Sequence, residues 1–185
     1  MAEVADASGL QVSSIYYYFR SKEEILERIV GEVNRVPLDL LERALADHDD
    51  PAIRLHAFVR ADGAALCRFP FDIIEVHGLA RAATSGFEQY WAERRELETR
   101  VTDLIATGVR SSAFVQIDPS LAAVTILAND EAAQSWYRPR SDHGQGDAGP
   151  RDPDEVGGFL ADMALRSLLA DPGRLDVIRR ASGGG

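Results

Sequence analysis

One stretch near the N-terminus combines side-chain types that could contact DNA. It begins with three small polar side chains and one apolar side chain: Gln11, Val12, Ser13 and Ser14. The polar members can hydrogen-bond to base edges or phosphates, and the valine can contact a thymine methyl group. Three tyrosines follow, at Tyr16, Tyr17 and Tyr18. Because successive helical residues point about 100° apart, the three cannot all be buried, and we expect one or two hydroxyls to reach phosphates.

The surrounding residues predict a helix-turn-helix. Residues 1–7 have the composition of a helix end, and Gly9 supplies a tight turn because glycine adopts positive φ without strain. Residues 12–18 then form a short second helix, which in this motif enters the major groove. Lys22 is the only lysine beside 19 arginines. It lies at the start of the next helix, where its compact charge suits a phosphate.

Residues 7–23 resemble the signature of the TetR family of transcriptional regulators. The matching positions are Gly9, Ile15, Tyr16, Phe19, Ser21, Lys22 and Glu23. Leu10 replaces a valine, Tyr18 stands where the family often has histidine, and Ser13 stands where it often has glycine. These departures leave the expected fold unchanged and make the operator sequence harder to infer.

The resemblance implies an all-α chain with two functional parts. Residues 1–35 would form a helix-turn-helix DNA-binding domain and residues 36–180 a ligand-binding and dimerisation domain, before a disordered tail over 181–185. The base-facing positions of the family match Gln11, Val12, Ser13, Ser14 and Tyr17. The phosphate-contacting positions match Tyr16, Tyr18 and Lys22. The family default is a ligand-responsive repressor that binds a palindromic double-stranded DNA operator as a dimer.

The start of the chain departs from the family pattern. Family members carry one further helix and the beginning of the next before the position of Met1, and these close the small core around the recognition helix. We therefore expect a DNA-binding domain without its first helix, from a start site assigned too far downstream or from a truncated product. The first account is preferred because Met1 lies inside a predicted helix. Such a chain should bind DNA weakly. The alternative function is a dimeric small-molecule-binding helical protein that does not bind DNA.

Composition and charge narrow the class of protein further. The net charge of −10 argues against broad, non-specific nucleic-acid binding but does not exclude a small local DNA-binding face. The single cysteine, Cys67, excludes an intrachain disulfide and favours the cytoplasm. We expect no signal peptide and no membrane span, because the N-terminus lacks a basic segment and no apolar run reaches about 20 residues.

Helical periodicity dominates the rest of the chain and independently favours an all-α core. Aspartate–proline pairs at Asp50-Pro51 and Asp118-Pro119 predict two helix starts, and another long helix is predicted from Asp154. Pro37 should kink or interrupt the helix that begins near Ser21. The segment 138–153 is rich in proline and glycine and is predicted to be a loop.

Aromatic residues at helical spacing between positions 58 and 91 should be mostly core, with some lining a ligand cavity. Asp62 and His77 lie on the same side of their helices as these aromatics, either as polar anchors for a ligand or as ordinary packed side chains. The candidate ligand-binding residues are Phe58, Asp62, Phe69, His77, Tyr90 and Trp91. The expected ligand is small and apolar.

The helices near 119–137 and 154–170 are amphipathic and should pair with their copies in a second protomer. A two-fold dimer would place one short recognition helix on each half-site of a palindrome. The sequence has no evident Ser-His-Asp order, phosphate-binding loop or paired carboxylate site, and we predict no enzyme. We also predict no metal site and no cofactor, because His, Cys and acidic residues do not recur at ligand spacing.

Overall fold

The described part of the chain is all-helical, as the sequence predicts. A computed structural model describes residues 31–83, 86–137 and 151–183. The helices in these ranges are α1 (Glu32–Asp47), α2 (Pro51–Arg68), α3 (Ile73–Ala82), α4 (Glu88–Arg110), α5 (Pro119–Tyr137), α6 (Pro153–Leu168), a 3-10 turn (Pro172–Arg174) and α7 (Leu175–Ser182). Among these residues, no helix is long and apolar enough to cross a membrane.

Aspartate–proline pairs fix the beginnings of three helices. The carboxylates of Asp50, Asp118 and Asp152 each accept a hydrogen bond from a backbone N–H of the following turn, at 2.8 to 2.9 Å. The proline after each aspartate takes the first helical position, where its missing N–H leaves no hydrogen bond unmade. The starts predicted at Asp50-Pro51 and Asp118-Pro119 are confirmed. The start predicted at Asp154 lies one residue earlier, at Pro153.

Two other predicted boundaries differ from the structure. Pro37 lies inside α1 and does not interrupt it. A proline removes one backbone hydrogen bond, and the packing of α1 against α2 and α4 keeps the flanking turns helical. At the other end, α7 extends to Ser182 and so includes two residues of the predicted tail. The start near Ser21 and most of the loop predicted over 138–153 lie outside the described residues. The domain boundaries stay predictions.

The core forms around α2, which packs most extensively along α6 and also contacts α1, α4, α5 and α7. Leu55, Phe58 and Val59 of α2 are fully buried in the main apolar core, together with Leu165 of α6. A smaller apolar cluster lies apart from it. Its buried members are Val33, Leu66, Ile73, Val76, Ala80, Phe87 and Tyr90. The smaller cluster therefore joins α1 to α3 and to the beginning of α4.

The crossing of α2 and α6 depends on a glycine. A Cβ atom on Gly157 would lie 2.1 Å from the carbonyl oxygen of Arg60 and 3.0 Å from the backbone nitrogen of Ala64. Both are backbone atoms of α2 that cannot move aside without displacing the helix. The corresponding position on Gly158 has no atom within 4 Å. The two helix backbones therefore make direct contact at Gly157.

We expect Gly157→Ala to lower the free energy of unfolding by about 2 to 3 kcal/mol, the upper range for overpacking a site that cannot relax. Gly158→Ala is the matched control. It should raise stability by up to about 1 kcal/mol, since alanine is the better helix former and has less freedom when unfolded. Urea unfolding of both variants measures the difference. Equal effects at the two positions would contradict the backbone contact.

Polar side chains attach the last helix to α2 and α6. The buried ring of His56 has Nε2 3.3 Å from Asp162 Oδ1 and Nδ1 2.7 Å from Ser182 Oγ. An ionised carboxylate only accepts hydrogen bonds, so Nε2 carries the proton and Nδ1 accepts from the hydroxyl. Burial lowers the pKa of His56 against the opposing effect of Asp162, which favours this neutral ring. Arg179 of α7 donates to both oxygens of Asp162, at 2.8 and 2.9 Å from Nε.

This group brings a serine, a histidine and an aspartate together although the sequence shows no such order. The ring is reversed relative to a hydrolase triad, in which Nε2 faces the serine and Nδ1 faces the aspartate. Ser182 is also 3.3 Å from the carbonyl oxygen of Arg179, one turn back in α7. We therefore assign His56, Asp162 and Ser182 a structural role in holding α7 in place.

Candidate ligand-binding site

A cluster of polar side chains is buried where α2, α3, α4 and α5 meet. We call it the polar cluster, and its members are Asp62 (α2), His77 (α3), Tyr90 and Arg94 (α4), and Asp130 and Glu131 (α5). Asp62 and Asp130 are only 4% and 1% exposed. The side chains of Arg94 and Glu131 are 14% and 13% exposed. Buried ionisable groups at such density are unusual in a core and often mark a functional site.

Four members of the polar cluster form a continuous hydrogen-bonded chain. Tyr90 Oη lies 2.6 Å from His77 Nδ1, and His77 Nε2 lies 3.2 Å from Glu131 Oε1. Arg94 Nη1 donates to the same Glu131 oxygen, and Arg94 Nε donates to Glu98 at 3.0 Å. Because the Glu131 carboxylate only accepts, His77 donates to it from Nε2.

The protonation states of this chain follow from burial and charge. Burial by itself acts to raise the pKa of Glu131, but the hydrogen bond from His77 and the charge of Arg94 outweigh it and lower that pKa. Glu131 is therefore ionised at neutral pH. Burial, and then the Glu131 charge, raises the pKa of Tyr90. Tyr90 thus keeps its proton and donates it in the hydrogen bond to His77.

Asp62 and Asp130 have a different electrostatic environment. Burial raises the pKa of Asp62 to about 7, with Glu131 adding to the effect and Arg94 opposing it. Burial also raises the pKa of Asp130 well above its ordinary value, and the charges of Asp62 and Glu131 act in the same direction. The sequence showed no paired carboxylate site, and the electrostatic influence of Asp62 on Asp130 becomes visible only in the fold. These residues are far apart in the chain, and only the packing of α2 against α5 makes them electrostatic neighbours.

Asp130 is also incompletely paired. Its Oδ2 atom is buried and has no hydrogen-bond partner among the described residues. Leaving a buried polar atom unpaired costs about 1 to 3 kcal/mol, and native structures contain few such atoms. Within the same ranges, no group of three or more His, Cys, Asp or Glu side chains is arranged to hold a metal ion. The described residues therefore leave this oxygen free to accept a hydrogen bond from a further donor.

Aromatic rings lie along one side of the polar cluster. The rings of His77 and Trp91 stack with centroids 5.9 Å apart, and Tyr90 meets Trp91 edge-on at 5.2 Å. Phe87 meets Tyr90 edge-on at 6.0 Å. The exposed Arg81 guanidinium lies 5.9 Å from the centroid of the Trp91 ring. The site therefore has a charged part, formed by the carboxylates, and an aromatic part around Trp91.

The structure groups most of the predicted ligand residues. His77, Tyr90 and Trp91 are in mutual contact, and Asp62 belongs to the polar cluster beside them. Phe69 stacks on Phe71 at 5.5 Å and packs against the smaller apolar cluster. Phe58 is fully buried in the main core and lies in a different apolar cluster from the other rings. A ligand-binding role for these six residues stays a prediction.

Sequence reasoning missed Arg94, Asp130, Glu131 and Gln134. Gln134 accepts from the backbone N–H of Ile73 at 2.9 Å and donates to the carbonyl of Leu66 at 2.5 Å, so it fixes the bend between α2 and α3. A signal was present in the sequence. Asp130 and Gln134 follow Ile126 at four-residue spacing, which puts polar side chains on the buried face of α5.

A cleft of about 250 Å³ lies elsewhere, between α1, α2 and α4. Its lining residues are Leu45, Arg54, Arg100, Asp103, Leu104 and Thr107. Arg54 already donates to the carbonyl oxygens of His48 and Leu45, and Arg100 lies 3.8 Å from Glu96. Both arginines of this cleft are paired with other groups of the chain, and its Asp103 is exposed to solvent, whereas Asp130 Oδ2 is buried and unpaired among the described residues. We therefore regard the polar cluster as the better candidate site.

The polar cluster is joined to the helix that follows the predicted DNA-binding motif. The buried Asn34 of α1 donates from Nδ2 to the backbone carbonyl of Tyr90 at 2.8 Å. Arg35, the next residue, lies 3.6 Å from Glu93 of α4. Two contacts therefore attach the beginning of α1 to the turn that carries Tyr90. All of the predicted DNA-contacting residues, from Gln11 to Lys22, lie outside the described residues.

Comparison with known proteins identifies the family. The profile described as "Tetracyclin repressor-like, C-terminal domain" matches residues 48–168. This chain belongs to the TetR family. A second profile, "Bacterial regulatory proteins, tetR family", matches residues 1–29, which include the motif in residues 7–23. The resemblance predicted from that motif is confirmed, and the all-α fold is the one expected for a TetR-family regulator.

Solved structures of TetR-family regulators share this fold. PfmR from Thermus thermophilus is 27% identical with a TM-score of 0.74, over 88% of this chain and 85% of that chain. A TetR/AcrR-family regulator from Thermobifida fusca is 26% identical with a TM-score of 0.65, over 88% of this chain and 82% of that chain. AibR, solved with isovaleryl coenzyme A and operator DNA, is 19% identical with a TM-score of 0.70, over 92% and 85%, and shows likeness of fold alone. No curated protein matched in the corresponding sequence comparison.

Proposed function

We propose that this TetR-family regulator is a ligand-responsive repressor that binds a palindromic DNA operator as a homodimer. The observation that carries the proposal is the polar cluster, which is buried in the core and joined through Tyr90 to α1. AibR, which shares the fold, was solved with a small molecule and with operator DNA. That precedent supports a regulator with both kinds of partner.

Tyr90 gives a ligand in the core a route to the DNA-binding residues. Its hydroxyl contacts His77 in the polar cluster, and its backbone carbonyl contacts Asn34 at the beginning of α1. The residues matched by the N-terminal family profile end at position 29, directly before α1. A ligand that binds one arrangement of Tyr90 better than another shifts the population of α1 positions, and hence the spacing of the recognition helices.

An exposed apolar face supports the dimer. Leu121 and Val124 of α5 are 68% and 49% exposed, and Phe159 and Met163 of α6 are 58% and 50% exposed. The two helices pack against each other, and both were predicted to pair across a two-fold axis. Apolar side chains exposed at helical spacing on neighbouring helices are typical of an interface that a second copy covers.

We expect the double variant Leu121→Glu, Phe159→Glu to be monomeric. In a dimer, two carboxylates on each protomer would be buried against apolar surface and close to the same carboxylates of the second copy. Dimerisation supplies no opposite charge, so it cannot offset the cost of burying them. Size-exclusion chromatography with light scattering measures the mass. Leu79→Glu on α3 is the control, because Leu79 is 53% exposed and lies outside this face. A dimeric double variant would place the interface elsewhere.

DNA binding is tested by selecting fragments from a random double-stranded library at low ionic strength, where phosphate contacts are strongest. We expect enrichment of a two-fold palindrome. Lys22→Ala should weaken binding to all selected sequences similarly and reduce the slope of log affinity against log salt by about 1. Arg110→Ala, an exposed position at the end of α4, is the control. If no DNA sequence is enriched although the protein dimerises and binds a ligand, the alternative function holds. The chain is then a dimeric small-molecule-binding protein that does not bind DNA.

A further inference from the structure

We propose that the ligand carries a cationic nitrogen, an amine or ammonium group, which binds between Asp62 and Asp130 while an apolar or aromatic body lies toward Trp91. The inference rests on the proposed function, since it names the chemical class of ligand for the same site. It replaces the expectation of a small apolar ligand with one that also has a charged end.

The acidic groups of the polar cluster outnumber its guanidinium groups. Three carboxyl groups, those of Asp62, Asp130 and Glu131, face one guanidinium, that of Arg94. Arg94 contacts Glu131 and Glu98, and no ion pair to either aspartate occurs among the described residues. One positive charge brought between the aspartates would let both ionise, because it supplies the opposite charge that burial otherwise denies them.

The unpaired oxygen supplies a specific contact for that charge. Asp130 Oδ2 is buried without a hydrogen-bond partner within the described ranges, and Asp130 as a whole is 1% exposed. An ammonium group has several N–H donors and a positive charge, so its binding favours the ionised form of Asp130, in which both oxygens accept. Charge-assisted hydrogen bonds of this kind are about twice as strong as neutral ones. A ligand with a neutral hydroxyl would satisfy the same oxygen less strongly.

The same arrangement disfavours an anionic ligand. A carboxylate or phosphate placed beside Asp62 and Asp130 would meet like charge in a buried site, and the nearby guanidinium of Arg94 is already paired with Glu131. The aromatic part of the site suits the apolar body of the ligand, because Tyr90 and Trp91 present apolar ring surface beside His77.

The test compares three probes that share one apolar body: 4-phenylbutylamine, 4-phenylbutan-1-ol and 4-phenylbutanoate. Isothermal titration of the full chain near pH 8 keeps the amine charged. We expect the amine to bind about tenfold or more tightly than the alcohol, and the acid to bind weakest. Asp130→Asn and Asp62→Asn should each reduce the preference for the amine over the alcohol to near unity. Circular dichroism of the variants confirms that they are folded.

Asp103→Asn is the matched control, because Asp103 is exposed and lines the cleft between α1, α2 and α4. It should leave the preference for the amine unchanged. The proposal is overturned if the amine does not bind, if the alcohol or acid binds as tightly, or if Asp103→Asn rather than Asp130→Asn abolishes binding. If the alcohol or the acid binds and releases the DNA, the amine proposal fails but ligand-responsive repression is supported. If the amine binds selectively but the selected DNA stays bound, the amine site is supported and ligand-responsive repression is rejected.

Discussion

Replacing Asp62 with asparagine is expected to raise the free energy of unfolding near pH 8 by about 4 kcal/mol. The pKa of Asp62 is raised from 3.8 to about 7, chiefly by burial. Near pH 8 an unfolded chain has an ionised, hydrated Asp62. The folded protein must either bury that charge or keep Asp62 protonated at a pH far above its ordinary pKa, and both cost free energy. One pKa unit corresponds to about 1.4 kcal/mol, which gives the expected gain. Asparagine has nearly the same shape and carries no charge.

The gain should disappear at low pH. Because the folded pKa lies above the unfolded one, the folded protein binds more protons between pH 3.8 and about 7. The contribution of Asp62 to stability is therefore most favourable below that window, falls as the pH rises through it, and is constant above it. Asp130→Asn should act in the same direction, since the pKa of Asp130 is also raised by burial and by neighbouring carboxylates.

Urea unfolding of wild type and Asp62→Asn at several pH values tests this prediction. Asp162 has a lowered pKa and acts in the opposite direction, but it lies outside the polar cluster and is common to both proteins, so its effect largely cancels in the difference. Glu131 helps to raise the pKa of Asp62, so its influence is part of the gain that is measured. Asp39→Asn, on the exposed face of α1, is the control and should change stability little at any pH. A gain of equal size near pH 4 and pH 8 would show that charge burial is not its cause.

Helix starts were predictable because their causes are local. Asp50 and Asp118 cap the helices that begin at the next residue, and the hydrogen bonds span two or three positions. The family motif in residues 7–23 was equally accessible, since its characteristic residue types recur at short, fixed spacing in the sequence. Pro37 was less informative. Its effect on α1 depends on packing against α2 and α4, which the local sequence does not encode.

The candidate ligand site was only partly predictable. Tyr90 and Trp91 are adjacent in the chain, and their ring contact follows from one helix. The contact of Tyr90 with His77 requires α3 to pack beside α4, and the electrostatic influence of Asp62 on Asp130 requires α2 to pack against α5. No spacing rule links such positions. The signal that could have been used was an exception to the apolar pattern. Polar residues on an otherwise apolar helical face predict buried polar groups, which often belong to a functional site.

Arg94→Ala is expected to lower the free energy of unfolding by about 3 to 5 kcal/mol, the usual loss when one partner of a buried ion pair is removed. Arg94 is the only guanidinium that contacts Glu131 in the described structure, and both side chains are less than 15% exposed. Without it, Glu131 keeps a hydrogen bond from His77 but lies beside Asp62 and Asp130 with no positive charge to offset the three carboxyl groups.

Arg100→Ala is the matched control for this loss. Arg100 lies 3.8 Å from Glu96 in the same helix, and the two side chains are 30% and 57% exposed. Removing such a surface pair costs less than about 1 kcal/mol. Urea unfolding near neutral pH should therefore separate the two variants clearly.

The double variant Arg94→Ala, Glu131→Gln should recover part of the stability, because the uncompensated charge is then gone. If Arg94→Ala costs no more than Arg100→Ala, Arg94 does not balance the charge of the polar cluster, and the argument for a cationic ligand loses its electrostatic basis.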